Sequence, residues 1–208
     1  MNMEMNNSKS AVGRTPGRPR EFDMDSVLDR AIGVFSRIGY SATSIADLNE
    51  ALGLTSGSIY KAFGDKRGLL MAALDRYVER RTQRLDAHLA LARTGRERVA
   101  AVLNAYAETS HGEAGRTGCL VVGSVIEFAS ADPVLRDRLT RILATHEARL
   151  LRFIREGQAD GSVAQRVDPE TTARLLLCVV QGMRVLGKTG RKQADMAAVC
   201  ENALRLLD

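Results

Sequence analysis

The sequence predicts an all-α protein, with a small N-terminal helix-turn-helix unit followed by a larger helical bundle. Three observations carry this. Apolar residues recur at helical spacing almost throughout. Strand signals are missing, because aromatic residues make up only 4% of the chain and no stretch alternates apolar and polar for long. The gaps between apolar stripes hold the residues that start and stop helices. With 208 residues, 45% of them hydrophobic and 26% charged, the composition is that of a globular protein. A chain of this size can bury roughly 70% of its unfolded surface without disulfide or metal staples.

Each element follows from its own signals. The first twenty residues are polar and contain Gly13, Pro16, Gly17 and Pro19, which reads as a disordered arm. Asp25 or Ser26 caps a first helix with the stripe Val27, Ala31, Val34, Phe35 and Ile38, ended by Gly39. Thr43 caps a short second helix carrying Ile45, Leu48 and Leu52, stopped by Gly53. A third starts near Thr55 and shows Ile59, Ala62 and Phe63 on one face before Gly64. Asp65 then caps a long fourth helix whose inner side carries Leu69, Leu70, Leu74, Tyr77, Val78, Leu85 and Leu89. Beyond Thr94 the helices span roughly 96–111, 118–130, 133–158, 169–189 and 194–207. They are separated by Gly112 with Gly115, Asp132-Pro133, Gly161, Asp168-Pro169 and Gly190, and both prolines sit where the first helical turn tolerates a missing N–H.

Composition narrows the function classes. The longest apolar run, Leu175 to Val180, is far too short to span a bilayer, and the Met-, Asn- and Ser-rich start lacks the apolar core of a signal peptide. Cys119, Cys178 and Cys200 have no metal-ligand spacing and cannot all pair, so reduced thiols in a cytoplasmic protein are expected. The net charge is +5; residues 1–70 are nearly neutral, with nine basic and eight acidic residues. Residues 9–20 nevertheless carry Lys9, Arg14, Arg18 and Arg20 with no acid. Such an arm suits a polyanion, and many solvated tails look the same.

Residues 45–64 are the most specific constellation. Gly53 can take the positive φ that a tight helix-to-helix turn needs. Leu48, Leu52, Leu54, Ile59 and Ala62 fall where a helix-turn-helix locks its second helix across its first. Their burial leaves Ser56, Gly57, Ser58, Tyr60 and Lys61 outward, a face of short polar groups that fits a major groove of about 12 Å. The same apolar spacing also suits an ordinary αα-hairpin packed in a core.

Thr43-Ser44-Ile45-Ala46, Gly53-Leu54-Thr55-Ser56-Gly57-Ser58-Ile59-Tyr60, Phe63-Gly64-Asp65-Lys66 and Leu69-Leu70 closely resemble the DNA-binding domain of the TetR family of repressors. The resemblance covers residues 22–72; beyond it only helix number and lengths match. It implies an arm over 1–20, a helix-turn-helix DNA-binding domain over 21–66, and an effector-binding and dimerisation domain over 67–208. It implies that Thr55 and Ser58 approach bases or phosphates, that Thr43, Tyr60 and Lys66 contact phosphate, and that Lys61 reaches base or backbone. One departure is Asn49, where the family usually has alanine: either the helix-to-helix angle shifts or Asn49 bonds locally. Gly17-Arg18-Pro19-Arg20 looks like the core of an AT-hook, so Arg18 and Arg20 either enter a narrow minor groove or touch phosphate loosely, unless the arm has no role.

The resemblance further implies an unidentified small-molecule effector enclosed by helices five to seven, and a homodimer interface made by the last two helices. Leu175, Leu176, Val179, Met183 and Leu186 form one face of the eighth helix, with Cys178, Gln181 and Val185 on another. A helix apolar on more than one side needs a second partner, and Gly182 permits close approach. Val199, Ala203 and Leu204 of the last helix join this candidate interface, unless both sides pack within one monomer. A dimer would read a palindromic duplex with recognition helices about 34 Å apart.

Candidates for the effector site are Tyr106, Cys119, Gly123, Glu127, His146 and Phe153. Cys119 sits where a helix starts and a thiolate is favoured, and Gly118-Cys119-Leu120 resembles a subset of the family that senses electrophiles or oxidants. Packing is the alternative, since Cys119 shares a face with Val122, Gly123 and Ile126. His146 interrupts the stripe Leu139, Ile142, Leu143, Leu150 and Phe153, as an interior hydrogen-bonded group or a ligand contact. No nearby cysteine or second histidine completes a metal site. Glu127 could meet a cation or pair with an arginine, while Tyr106, Phe128 and Phe153 could line a cavity or fill core. Arg136, Arg138, Arg141, Arg149, Arg152 and Arg155 read as a solvated face. Three histidines and no paired carboxylates assemble no catalytic apparatus, so no enzyme activity and no cofactor are expected. A thiol-dependent enzyme around Cys119 and an architectural DNA binder without effector are the rival classes.

Overall fold

The computed structural model describes residues 23–208, which form ten α-helices and a closing 3₁₀ turn with no strand among the described residues. Arg18 and Arg20 lie outside the described residues. Helix α1 (Met24–Ile38), α2 (Ile45–Leu52) and α3 (Ser56–Phe63) make the small N-terminal unit, and α4 (Lys66–Leu89) leads out of it. The rest is α5 (Gly95–Glu108), α6 (Gly112–Thr117), α7 (Leu120–Phe128), α8 (Pro133–Asp160), α9 (Pro169–Gly187), α10 (Gln193–Leu204) and the 3₁₀ turn Arg205–Leu207.

The starts and stops are local chemistry. Asp65 caps α4 by accepting from the Gly68 N–H at 2.6 Å. Asp132 accepts from Val134 and Leu135 at 3.0 and 3.1 Å, and Asp168 from Glu170 and Thr171 at 3.0 and 3.2 Å. Each such cap is worth about 1 kcal/mol. Two caps differ from expectation. The first helix begins after Asp23, which makes no side-chain cap. The second is capped by Ser44 rather than Thr43, in a reciprocal box with Asp47. The stretch expected to form one helix over roughly 118–130 is preceded by the extra short helix α6, and Cys119 is the cap residue of α7 rather than part of it.

Two apolar clusters hold the molecule. One joins Leu85 of α4 to α5, the C-terminal part of α8, α9 and α10 through Leu103, Leu150, Ile154, Leu176 and Val180. The other joins α1–α4 to Leu120, Val121 and Phe128 of α7's segment and Leu135 and Leu139 of α8. The N-terminal unit therefore shares its core with the bundle. Arg76 of α4 clamps α1 through Asp25 and Asp29 at 2.8 and 2.6 Å, and Arg80 reaches Asp29 at 2.7 Å. Arg67 holds Asp132 with two hydrogen bonds of 2.7 and 3.0 Å. That guanidinium, helped by the Leu135 and Val134 N–H groups that donate to the carboxylate, brings the Asp132 carboxyl down to about 2.

Candidate functional site

The helix-turn-helix is built as its residues require. Gly53 takes the left-handed conformation, φ 66°, between α2 and α3. Leu48, Leu52, Leu54 and Ile59 are buried beneath, so α3 turns its other side outward, while Ala62, expected among the buried residues, is exposed near the end of α3. Thr55 caps α3, accepting from the Ser58 N–H at 3.2 Å, with the two hydroxyls 3.0 Å apart. Thr55, Gly57, Tyr60 and Lys61 are exposed and Ser58 is half-buried. Ser56 is half-buried, its hydroxyl accepting from the Asn49 side-chain amide at 2.8 Å. Asn49 thus bonds locally, tying α2 to the first turn of α3. Lys66 sits with Nζ 4.2 Å from the centre of the Tyr40 ring, at the base of the same unit. Thr43, expected on phosphate, is buried and its hydroxyl donates to the Gly39 carbonyl, which ties down the α1–α2 turn.

A second feature is a cavity of about 250 Å³ between α1, α4, α5, α6, α8 and α9. Its apolar walls include Ile32, Leu85, Val102, Leu150 and Val180. Its polar lining includes Ser36, Tyr77, Tyr106, His146 and several arginines. Of the six candidates from sequence, Tyr106 and His146 border it directly, with the Tyr106 hydroxyl 3.2 Å from His146 Nδ1. Burial, then the charges of Arg149 and Arg81, lowers the His146 pKa to about 4, so the ring is neutral at neutral pH.

Cys119 is buried just behind the Tyr77 wall, with the Tyr77 hydroxyl donating to Sγ at 3.3 Å. Burial pushes the thiol up, but the Arg184 and Arg81 guanidiniums and that hydrogen bond outweigh it and hold it below the ordinary value. The face it was expected to share does not exist, because Cys119 precedes α7 in extended conformation while Ile126 is exposed.

Three candidates lie elsewhere. Phe153 is buried in the bundle core, and Gly123 is not among the cavity residues. Glu127 is committed to structure, accepting from the Tyr40 and Ser41 N–H groups at 2.8 and 2.7 Å across the α1–α2 turn. Burial raises its pKa, yet these two donors and Lys66 bring it below the ordinary carboxylate value. Sequence reasoning missed Arg81 and Arg184. Arg81 stacks 4.6 Å over the Tyr106 ring and donates to Thr109 Oγ1 at 3.2 Å. Arg184 is buried and donates to the Gly118 carbonyl. Arg184 lies in register with the buried face Ala173, Leu176, Val180 and Gly187 of α9, a register that the all-round apolar sequence of this helix does not reveal. Arg149, expected on a solvated face, borders the cavity.

On the bundle's outer side, α9 and α10 leave an apolar strip. Leu175, Cys178, Val185 and Leu186 are exposed on α9, with Val179 and Gly182 half-buried among them. Val199 and Leu206 are exposed beside a shallow groove that Val179 and Ala203 also line, and Leu204 is half-buried. Met183, expected in this strip, points inward and belongs to the monomer core at 2% exposure. No helix among the described residues is long and apolar enough to cross a membrane.

Comparison with known proteins agrees with this architecture. The family model described as "Bacterial regulatory proteins, tetR family" matches residues 27–73, and that described as "Tetracyclin repressor-like, C-terminal domain" matches residues 95–203. The HTH-type transcriptional repressor ComR of Escherichia coli (strain K12) is 30% identical over 204 residues, 96% of this chain and 95% of ComR. The HTH-type transcriptional repressor BdcR of the same organism is 34% identical over 124 residues, 60% of this chain and 61% of BdcR. Among solved structures, a cysteine mutant of the TetR family transcriptional regulator CifR, complexed with a 26-bp double-strand operator DNA, superposes with a TM-score of 0.81. It is 34% identical, covering 90% of this chain and 98% of that one.

Proposed function

Because the chain belongs to the tetR family of bacterial regulatory proteins, and is a transcriptional regulator with a DNA-binding helix-turn-helix, we propose that it is a homodimeric repressor that binds a palindromic operator and is released by a small-molecule effector. The observation that carries this reading is a shared wall. Ile32 and Ser36 of α1, and Tyr77, Arg80 and Arg81 of α4, line the cavity, and the same two helices pack under or lead into the helix-turn-helix. A ligand between these helices and the bundle changes their spacing and with it the pose of α3.

Two further ties run from bundle to reader. Glu127 of α7 holds the α1–α2 turn, and Lys188, just after α9, donates to the Ser36 and Arg37 carbonyls at 3.1 and 3.3 Å. For each tenfold loss of operator affinity the ligand must favour the non-binding arrangement by about 1.4 kcal/mol. In this reading residues 21–66 are the reader and 67–208 the sensor. Thr55, Ser58, Tyr60, Lys61 and Lys66 meet DNA, and the apolar α9–α10 strip meets its copy in the partner subunit.

The test is selection of random duplex DNA by the purified protein, repeated after removal of residues 1–20. Recovery of a palindrome is the expected result, and loss of flanking A/T bases on truncation assigns Arg18 and Arg20 to the minor groove. Failure to enrich any sequence overturns the reading.

A second reading has its own observation, the depressed thiol of Cys119 beside Tyr77, Arg81 and Arg184. Here the regulator senses oxidants or electrophiles through that sulfur. Hydrogen peroxide would then release operator from the wild type but not from Cys119→Ser; equal release from both sinks it.

A further inference from the structure

The polar lining of the cavity is one-sided. Arg80, Arg81, Arg84, Arg149 and Arg184 border it, and none of its lining residues is Asp or Glu. Arg80 is taken by Asp29. The ion pairs among the described residues include none made by Arg81, Arg84, Arg149 or Arg184.

Arg184 is the decisive member. It is 3% exposed, one of its nitrogens donates to the Gly118 carbonyl, and its Nε and Nη1 have no partner. A charged guanidinium removed from water with two idle nitrogens is unfavourable unless an acceptor comes to it. Ser36 Oγ, on α1, is also buried without a partner. Gly118 lies beside both residues: its carbonyl takes Arg184, and the Ser36 backbone carbonyl lies 3.0 Å from where a Gly118 Cβ would be. Ile32, Leu85, Val102, Leu150 and Val180 supply apolar wall between these groups, so the site pairs cations free of carboxylate partners with apolar surface.

We propose that the cavity binds a small organic anion, its acid group on Arg184 and Ser36 and its apolar part against Leu85, Val102, Leu150 and Val180. The inference rests on the effector reading above and names the chemical class of that effector. Two neighbouring side chains register these arginines: burial first, and then Arg149 and Arg81, hold His146 neutral, while Arg184 and Arg81 ease the Cys119 thiol toward thiolate. An anion is what a site of that potential draws in, whereas a cation would meet uncompensated arginines. Arg81, with its guanidinium carbon 4.6 Å from the centre of the Tyr106 ring, leaves the cavity wall cationic without needing a carboxylate to hold it.

The test uses the full-length protein and calorimetric titration with three anions, benzoate, hexanoate and phenyl phosphate, and two neutral matches, benzamide and hexanamide. At least one anion is expected to bind about tenfold or more tightly than the amides. Benzoate or hexanoate ahead of phenyl phosphate identifies a carboxylate head, and the reverse a phosphate. Arg184→Gln should weaken that binding about tenfold or more. Should Arg184→Gln fail to fold, Arg149→Gln at the rim serves in its place, with a smaller loss expected. No binding by any of the three anions at millimolar concentration, equal binding by amide and acid, or an unaltered affinity in the folded variants overturns the inference. Operator release is followed separately. An anion that binds without releasing operator refutes the release mechanism and leaves the anion site standing; release by the amides alone does the opposite.

Discussion

At the scale of single residues, the helix-turn-helix and the cavity present side chains differently. On α3 the outward face mixes hydroxyls with Tyr60 and Lys61; the cavity collects arginines, of which Arg184 is buried, Arg81 and Arg149 are half-buried and Arg84 is exposed. Tyr60 is 46% exposed and Lys66 is braced on Tyr40, placements suited to phosphate rather than base edges. Tyr60→Phe and Lys66→Ala should therefore weaken binding to all duplexes alike, and Lys66→Ala should reduce the salt slope by about one. Fluorescence anisotropy across salt concentrations checks this, and unchanged affinity at moderate salt counts against both roles. His146 gives a pH prediction. Its folded pKa, about 4, lies below the ordinary value of about 6.5. The unfolded chain thus takes up a proton that the folded chain refuses. The stability tied to neutral His146 is complete above about pH 6.5 and falls away as pH drops toward 4. Denaturant melts at about pH 7 and about pH 5 should show the loss in the wild type and a smaller one in His146→Gln; identical losses would refute it.

Among the helices, one junction depends on the absence of a side chain. The start of α5 lies so close to α8 that a Cβ on Gly95 would stand 2.0 Å from the Gly157 nitrogen and 2.4 Å from the Phe153 carbonyl. Both obstacles are backbone, which cannot swing aside. The Gly95 N–H also donates to Asp160 at 2.7 Å, so α5 is pinned at its first residue. Gly95→Ala is expected to cost about 1–3 kcal/mol through forced separation of the two helices. A thermal melt reads this, with Gly123→Ala as a control, because a Cβ on Gly123 meets nothing within 4 Å. Equal melting of both variants would show that the junction gives way freely.

Across the whole molecule, the helix-turn-helix unit and the bundle share one apolar cluster and several polar ties, the packed contacts on which the proposed release by an effector depends. The α9–α10 strip is an exposed apolar surface among the described residues. A Cβ on Gly182 meets nothing within 4 Å in the monomer, so Gly182→Glu should leave the subunit folded. Placed in a close helix-helix interface between two copies, the same carboxylate would prevent association. Light scattering should report a monomer and circular dichroism an unchanged helical content, and operator affinity should collapse. A dimer that persists in Gly182→Glu places the interface elsewhere.

The sequence by itself determined the helical class, most helix ends and the helix-turn-helix. Caps such as Thr55, Asp65, Asp132 and Asp168, and the turn at Gly53, act over three or four residues, so the signal and its structural effect are neighbours in the chain. Helix α6 escaped because six residues containing two glycines carry no apolar period. The inner and outer faces of α9 could not be phased in sequence, since apolar residues occur all around it; only packing sent Met183 inward and Cys178 outward. Tertiary structure alone decided the cavity. Its walls come from six helices spread between Ile32 and Arg184, and the unpartnered state of Arg184 is a property of what surrounds it in space. Thr43 and Glu127 were reassigned for the same reason: a hydrogen bond to a distant or turned backbone group leaves no periodicity in the chain.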